Sequence, residues 1–232
     1  MRSVGSFVVD PVHRGPSRSA NGGWTAGLLA THLARVPAVT VTLRRPPPLG
    51  QRLEVYRGHG RAELRDGDTL VAEAEPAGVP AAVPPVSADR AQAAESAYAG
   101  LVSHPFPGCF VCGTEPAAGE GLLLRPGRVA PAGTACRWVP HPRHVGAAHV
   151  WAALDCPGGW TGDLEGRPMV LGRITASVRR RPEAGEPLVV VGTLLDTDDR
   201  KSRTATSVYD TAGRVVGSAV HTWIRVDPRT FD

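Results

Sequence analysis

The feature that most constrains this chain is a stretch it carries twice. Thr40–Val55 (TVTLRRPPPLGQRLEV) and Thr175–Val190 (TASVRRRPEAGEPLVV) align without a gap and share Thr, Arg, Arg, Pro, Gly, Leu and Val. That is 7 identities in 16 positions, where unrelated segments share about one by chance. A second pair, Gly22-Gly23-Trp24-Thr25 and Gly158-Gly159-Trp160-Thr161, lies upstream of each copy at nearly the same offset, 136 residues against 135. A repeat of this length implies a duplicated domain and excludes a solenoid of short units. The 232 residues accommodate two domains of about 100 residues each.

Composition narrows the class. Hydrophobic residues make up 42% and charged residues 21%, as in an ordinary folded protein. No stretch approaches the roughly 20 apolar residues of a membrane span, and the N-terminus lacks the apolar core of a signal peptide. A cytoplasmic protein with no membrane partner is expected. The net charge of +4 comes largely from Arg clusters: Arg44-Arg45, Arg179-Arg180-Arg181, and Arg200-Lys201 with Arg203. The clusters are short, and aromatics are only 5% of the chain. That argues against a nucleic-acid platform. It leaves solvated strand faces, or contacts to a phosphorylated small molecule. Four cysteines, at 109, 112, 136 and 156, are too few and too scattered for a disulfide scaffold.

Local patterns order the chain. A strand at Ser6–Asp10 precedes a helix over Gly23–Arg35, with Trp24, Leu28, Leu29 and Leu33 on one face and Pro37 beyond its end. Strands follow at Val39–Leu43, Leu53–Gly60, Arg61–Leu64 and Leu70–Glu75, the last two joined at Asp66-Gly67. Residues 1–76 form one domain. Residues 77–105 form a Pro/Ala-rich connector with a short helix at Arg90–Tyr98. Residues 106–232 form the second domain: strands at Leu122–Leu124 and Ala135–Val139, a helix at Ala147–Leu154, and long strands at Val170–Arg180, Leu188–Asp196, Arg203–Asp210 and Val215–Arg225. The segment Asp155–Trp160 interrupts or restarts the helix.

A strand, a helix and then an antiparallel run of strands, occurring twice, resembles the hotdog fold. The chain resembles double hotdog acyl-CoA thioesterases of the thioesterase II type. The resemblance rests on the Gly-Gly-Trp helix with TVTLRRPPPLGQRL, on the Arg179-Arg180-Arg181-Pro182 strand, and on the ending YDTAGRVVGSAVHTWI. The segment Cys109–Gly113 with Gly121-Leu122 also resembles the opening of single-domain acyl-CoA thioesterases. The resemblance implies an α+β tandem (double) hotdog, two antiparallel sheets each wrapping a central helix. It implies hydrolysis of an acyl-CoA or acyl-pantetheine thioester, with no cofactor. The same fold hosts non-catalytic thioester-binding proteins and enoyl-thioester dehydratases and hydratases. No segment here matches the Asp/His motif of the hydratase branch.

Thioester hydrolysis needs a carboxylate to activate water or attack, and donors for the oxyanion. Asp155 holds the position of the family's acidic residue on the central helix. Asp155 also suits the N-cap of a helix starting near Pro157. Gly158 and Gly159 let backbone N–H groups approach a substrate. His221 stands where the family has a catalytic Gln, and its ring could orient water or move a proton. Thr175, ahead of Ser177, could supply the family's hydroxyl partner from the Arg-rich strand; a structural strand Thr is the alternative. Arg200, Lys201 and Arg203, in a loop before a strand, could meet coenzyme A phosphates. By the Gly-Gly-Trp offset Asp155 corresponds to Ser19, and counting from the turn glycines, Gly213 and Gly67, His221 corresponds to Glu75, so one working site and one degenerate half are expected. Cys109-x-x-Cys112 has the spacing of half a zinc site, with Cys136, His141 or His144 as further ligands. A second tight pair is missing, so a packed turn is the better reading and no metal is expected. An exposed sheet edge would allow pairing into a homo-oligomer.

Overall fold

The computed structural model describes residues 1–33, 36–131 and 133–231. In chain order the first half comprises β1 (Arg2–Val8), α1 (Gly22–Ala30), β2 (Ala38–Leu43), β3 (Arg52–Gly58), β4 (Arg61–Asp66) and β5 (Thr69–Ala77). After α2 (Ala88–Ala94), the second half comprises β6 (Gly127–Val129), β7 (Gly133–Trp138), α3 (Ala147–Gly159), β8 (Met169–Val178), β9 (Leu188–Asp198), β10 (Lys201–Asp210) and β11 (Val215–Arg225).

The strands form one 11-stranded sheet in the order β1-β3-β4-β5-β2-β8-β11-β10-β9-β7-β6. The two separate sheets expected from sequence are therefore one. The reason lies at its centre, where β2 and β8, each an edge of its own half, pair antiparallel: Thr40 opposes Thr175, Val39 opposes Ala176, and Val41 opposes Ile174. Pairing satisfies the backbone groups that two open edges would expose. Thr40 and Thr175 are the first residues of the repeat, so each faces its own counterpart, while Val39 faces the counterpart of Val41. That is the signature of a two-fold axis, and the two hydroxyls hydrogen-bond across it at 2.7 Å. Outward from this axis the order reads β2-β5-β4-β3-β1 one way and β8-β11-β10-β9-β7 the other.

Both helices pack on the sheet and on each other, α1 against β2, β4, β5 and β8, and α3 against β7 to β11. Contact on both sides buries α1 almost all round, which is why its apolar positions do not form a stripe. The helices approach closely because two crossing positions lack side chains. A Cβ on Gly23 would sit 2.5 Å from Asp155 Cβ, and one on Gly27 2.7 Å from Trp151 Cβ. α1 starts one residue earlier than expected and ends at Ala30. Arg35, the expected end, lies outside the described residues.

The Gly-Gly-Trp pair is not structurally equivalent, since it opens α1 and closes α3. Its offset is therefore a coincidence, and the Asp155–Ser19 correspondence falls with it. Ser19 lies in the loop before α1, bridged to Pro48. Superposing the C-terminal ends of the helices places Asp155 over Ala26, and superposing their starts places it over Ala30. Either way the first half has an alanine there. α3 also runs without a break through Pro157 to Gly159, so Asp155 is a helix-interior residue and not an N-cap. Pro157, in the last turn, has no N–H to give the Ala153 carbonyl four residues back.

Leu122–Leu124 is not a strand. Leu123 takes φ 54°, a left-handed conformation that breaks extended backbone, while the amides of Leu122 and Leu124 bond to the carbonyls of Phe110 and Val111. The connector packs on the sheet face opposite α3. Val83 N–H donates to Ser207 Oγ at 2.9 Å, Tyr209 Oη donates to the Val83 carbonyl, and Ala91 of α2 joins Ala135, Val189, Val191 and Ala205 in a second apolar cluster. No described helix is long and apolar enough to cross a membrane.

Candidate active site

Asn21 caps α1, its Oδ1 accepting from Trp24 N at 2.8 Å. The next residues, Gly22 and Gly23, carry first-turn N–H groups with no partner inside the helix. Asp155 reaches this end of α1 from the middle of α3. Its Oδ2 accepts from Gly23 N at 2.9 Å and from Asn21 Nδ2 at 3.1 Å. Its Oδ1 has no hydrogen-bond partner although the residue is only 2% exposed. Burial pushes the Asp155 carboxyl up to about 7, against the pull of the Gly23 amide and the Asn21 side chain. The carboxylate thus sits at a helix N-terminus, held there through one oxygen, while the other has no hydrogen-bond partner.

A cleft of about 270 Å³ opens over this carboxylate. Leu43, Phe106, Leu164, Leu171 and Trp223 supply apolar wall. Asn21, Gly22, Asp155 and three sulfurs, those of Cys109, Cys112 and Cys156, supply polar or polarisable wall. Arg44 and Arg45, the repeated dipeptide, also line it. Arg44 is ion-paired with Glu73.

Asp155 is the one sequence-derived catalytic residue that the cleft contains. His221 lies behind α3. Its Nδ1 is 3.0 Å from Thr204 Oγ1, which also accepts from Trp223 Nε1 at 3.1 Å. Burial pushes the His221 imidazole down to about 4. Its counterpart is not Glu75. Thr40 faces Glu75 on β5 and Thr175 faces Val220 on β11, so His221 corresponds to Pro76. Counting from the turn glycine slipped by one residue, which on a strand exchanges the two faces. Thr175 points to the sheet face opposite the helices, beside Thr40. Ser177 donates there to the Pro37 carbonyl at 2.7 Å.

Gly158 and Gly159 do not face the cleft as oxyanion donors. A Cβ on Gly158 would sit 2.6 Å from Thr204 Oγ1 and 3.1 Å from His221 Nδ1, and one on Gly159 would meet the Trp223 ring at 2.9 Å. They are small because the helix end presses on β10 and β11. Arg200 lines a separate surface groove with Arg225, Asp227 and Arg229, while Lys201 and Arg203 already belong to β10. Arg203 is paired with Asp196 at 3.0 Å. Sequence reasoning missed Asn21 and Gly22 as site residues. The local sequence shows Asn21 as nothing more than a residue suited to cap a helix, because the group it serves is 134 residues away.

The mirrored position, where α3 begins, has a different content. His13 stacks on Trp24 at 4.0 Å, and His144 packs against Phe110 at 5.3 Å and against His149 at 5.2 Å. Rings fill this end. Burial pushes both His144 and His149 down to about 4, with neighbouring histidines adding to the effect.

No protein-family model and no curated protein sequence matches the chain. Solved structures do. A protein of unknown function with a hotdog fold from Alicyclobacillus acidocaldarius matches at TM-score 0.62 and 14% identity, covering 96% of this chain and 93% of that one. The TesB protein of Mycobacterium avium subsp. paratuberculosis matches at 0.60 and 14%, covering 96% and 92%. The acyl-CoA thioesterase II TesB2 of Mycobacterium marinum matches at 0.52 and 11%, covering 84% and 82%. Likeness at these identities speaks for architecture, and with the mirrored strand order about Thr40 and Thr175 it establishes that this chain carries the hotdog fold twice.

Proposed function

We propose that the chain is an acyl-thioester hydrolase acting on an acyl-CoA or an acyl-pantetheine carrier, with Asp155 as its catalytic carboxylate. The observation that carries this reading is the free Oδ1 of a buried carboxylate at the N-terminus of the other half's helix, on the floor of a cleft. The thioester carbonyl oxygen would take the N–H of Gly22, for which the described residues provide no acceptor, in place of the amides of Gly158 and Gly159. Asp155 Oδ1 takes a proton from water as the water oxygen attacks the carbonyl carbon. The tetrahedral intermediate expels the thiolate, and the proton passes from Asp155 to the leaving sulfur. Arg44 and Arg45 are the cations nearest this cleft for coenzyme phosphates, in place of Arg200, Lys201 and Arg203. On this reading the first hotdog spans residues 1–76, the connector 77–105 and the second hotdog 106–232.

Thiol release from a panel of acyl-CoAs tests the proposal. Turnover in the native chain and its collapse in Asp155→Asn, with acyl-CoA binding retained, are the expected results. Undiminished turnover in Asp155→Asn would sink the site. A second reading, thioester binding without turnover, draws on one observation: neither His221 nor Thr175 reaches the cleft. Binding of acyl-CoA with no thiol release from any chain length would favour it.

A further inference from the structure

The sulfurs of Cys109, Cys112 and Cys156 all lie within 4.8 Å of one another, and the three residues are buried. Cys109 Sγ is 3.8 Å from Cys156 Sγ, and His104 Nε2 is 3.5 Å from Cys112 Sγ. Zinc makes bonds of about 2.3 Å to sulfur and about 2.0 Å to nitrogen; in a tetrahedron these place two sulfurs about 3.8 Å apart and a sulfur and a nitrogen about 3.5 Å apart. Both observed separations match. We propose that the thiolates of Cys109, Cys112 and Cys156 bind one zinc-class divalent cation, which pins the 109–113 turn to α3, and that the His104 imidazole, in reach of Cys112 but not within 4.8 Å of all three sulfurs, turns in to complete the tetrahedron.

The surroundings suit such a centre. Asn21 Nδ2 lies 4.0 Å from Cys109 Sγ and 3.9 Å from Cys156 Sγ, in the range of N–H···S bonds. Gly113 N–H donates to the Cys109 carbonyl at 2.8 Å, which closes the turn that carries Cys109 and Cys112. The Cys112 carbonyl is held by Tyr98 Oη at 2.8 Å, and the His104 ring packs edge-on against Trp160 at 5.0 Å. His104 Nδ1 accepts from Phe106 N at 2.9 Å, so in the metal-free ring the proton sits on Nε2. Ligation moves that proton to Nδ1 and exchanges one hydrogen bond for a metal bond, while the three thiol protons leave to solvent. The ligands that sequence spacing offered are elsewhere: Cys136 lies in β7 opposite Val190, and His141 and His144 stand near the start of α3. The fourth position comes from five residues before Cys109, and the third sulfur from the helix that carries Asp155.

Metal content of the full chain, purified without chelator and dialysed, tests this without any substrate, so its failure leaves the hydrolase reading standing. One zinc per chain is expected, falling at least tenfold in Cys112→Ser and in Cys156→Ser and unchanged in Cys136→Ser. Should those variants not fold, the wild-type chain suffices. After chelation under reducing conditions it should take up one Co²⁺ with thiolate-to-cobalt charge-transfer absorption and the d–d bands of a tetrahedral site. His104→Ala should shift those bands, and an unchanged spectrum would remove His104 from the ligand set. A reduced chain that binds neither Zn²⁺ nor Co²⁺ overturns the proposal. So does a Cys109–Cys156 disulfide in the purified protein, if no metal is taken up once it is reduced.

Discussion

The two ends of the helix pair are related by the axis between β2 and β8, yet they hold opposite contents. At the start of α1 there is a carboxylate with a free oxygen, a cap side chain and a cleft. At the start of α3 there are stacked and tilted rings of His13, Trp24, Phe110, His144 and His149. The arginine pairs diverge in the same way. Arg45 lines the cleft, whereas its counterpart Arg180 is tied to Glu186 and Asp210. The frame is thus duplicated and the chemistry is not. A helix N-terminus offers N–H groups in both halves, and what the opposite helix presents to it decides whether the result is a site or a core.

Each expected outcome presses on that contrast. The largest is catalytic: Asp155→Asn should lower turnover by about 10²–10⁴-fold, the usual range for a general base. His149→Asn at the mirrored end should leave turnover within about two-fold. A comparable loss from His149→Asn would break the claim of a single site.

The next concerns buried imidazoles. His221 is held at about 4 by burial, below its ordinary 6.5. Between those values the unfolded chain binds the proton and the folded chain does not. The stability this ring protects is full above about pH 6.5 and is lost as pH falls toward 4, by up to about 3 kcal/mol. Urea unfolding at pH 7, 6, 5 and 4 should show this steepness, and His221→Asn should lose that share of it. The difference between the two proteins isolates this ring from carboxylates titrating in the same range. His144 and His149 should act in the same direction.

Helix crossing comes third. Gly23→Ala and Gly27→Ala each force a Cβ into the opposite helix and should cost about 1–3 kcal/mol by denaturant unfolding. Only the first also displaces Asp155, so only Gly23→Ala should reduce turnover in the folded protein. The smallest effect separates the arginines. Arg45→Ala should raise KM for acyl-CoA a few-fold with stability unchanged, while Arg180→Ala should cost at most about 1 kcal/mol of stability and leave KM alone.

How much of this could be read from the chain depends on where each signal lives. The strand repeat was legible because residues on a two-fold axis meet their own counterparts, so Thr40 and Thr175 answer to the same surroundings. The Gly-Gly-Trp match was misleading because glycine is useful both where a helix begins against a neighbour and where one ends against a sheet. Asp155 was legible as a carboxylate on a helix. Its partners Asn21 and Gly23 were not, since they come from the other half. His221 failed by parity, where one residue moves a side chain through the sheet. Cys109 and Cys112 announced themselves by spacing. Cys156 did not, because only the docking of a loop on α3 brings it within reach.

The join between β2 and β8 has a further consequence. When two identical subunits meet across an axis, every substitution is made on both sides at once, and a change that improves one cleft must be tolerated by the other. Here Thr40 and Thr175 occupy one polypeptide. Each side can be edited alone, so the cleft can be tuned to a new ligand while the ring-filled end continues to supply rigidity.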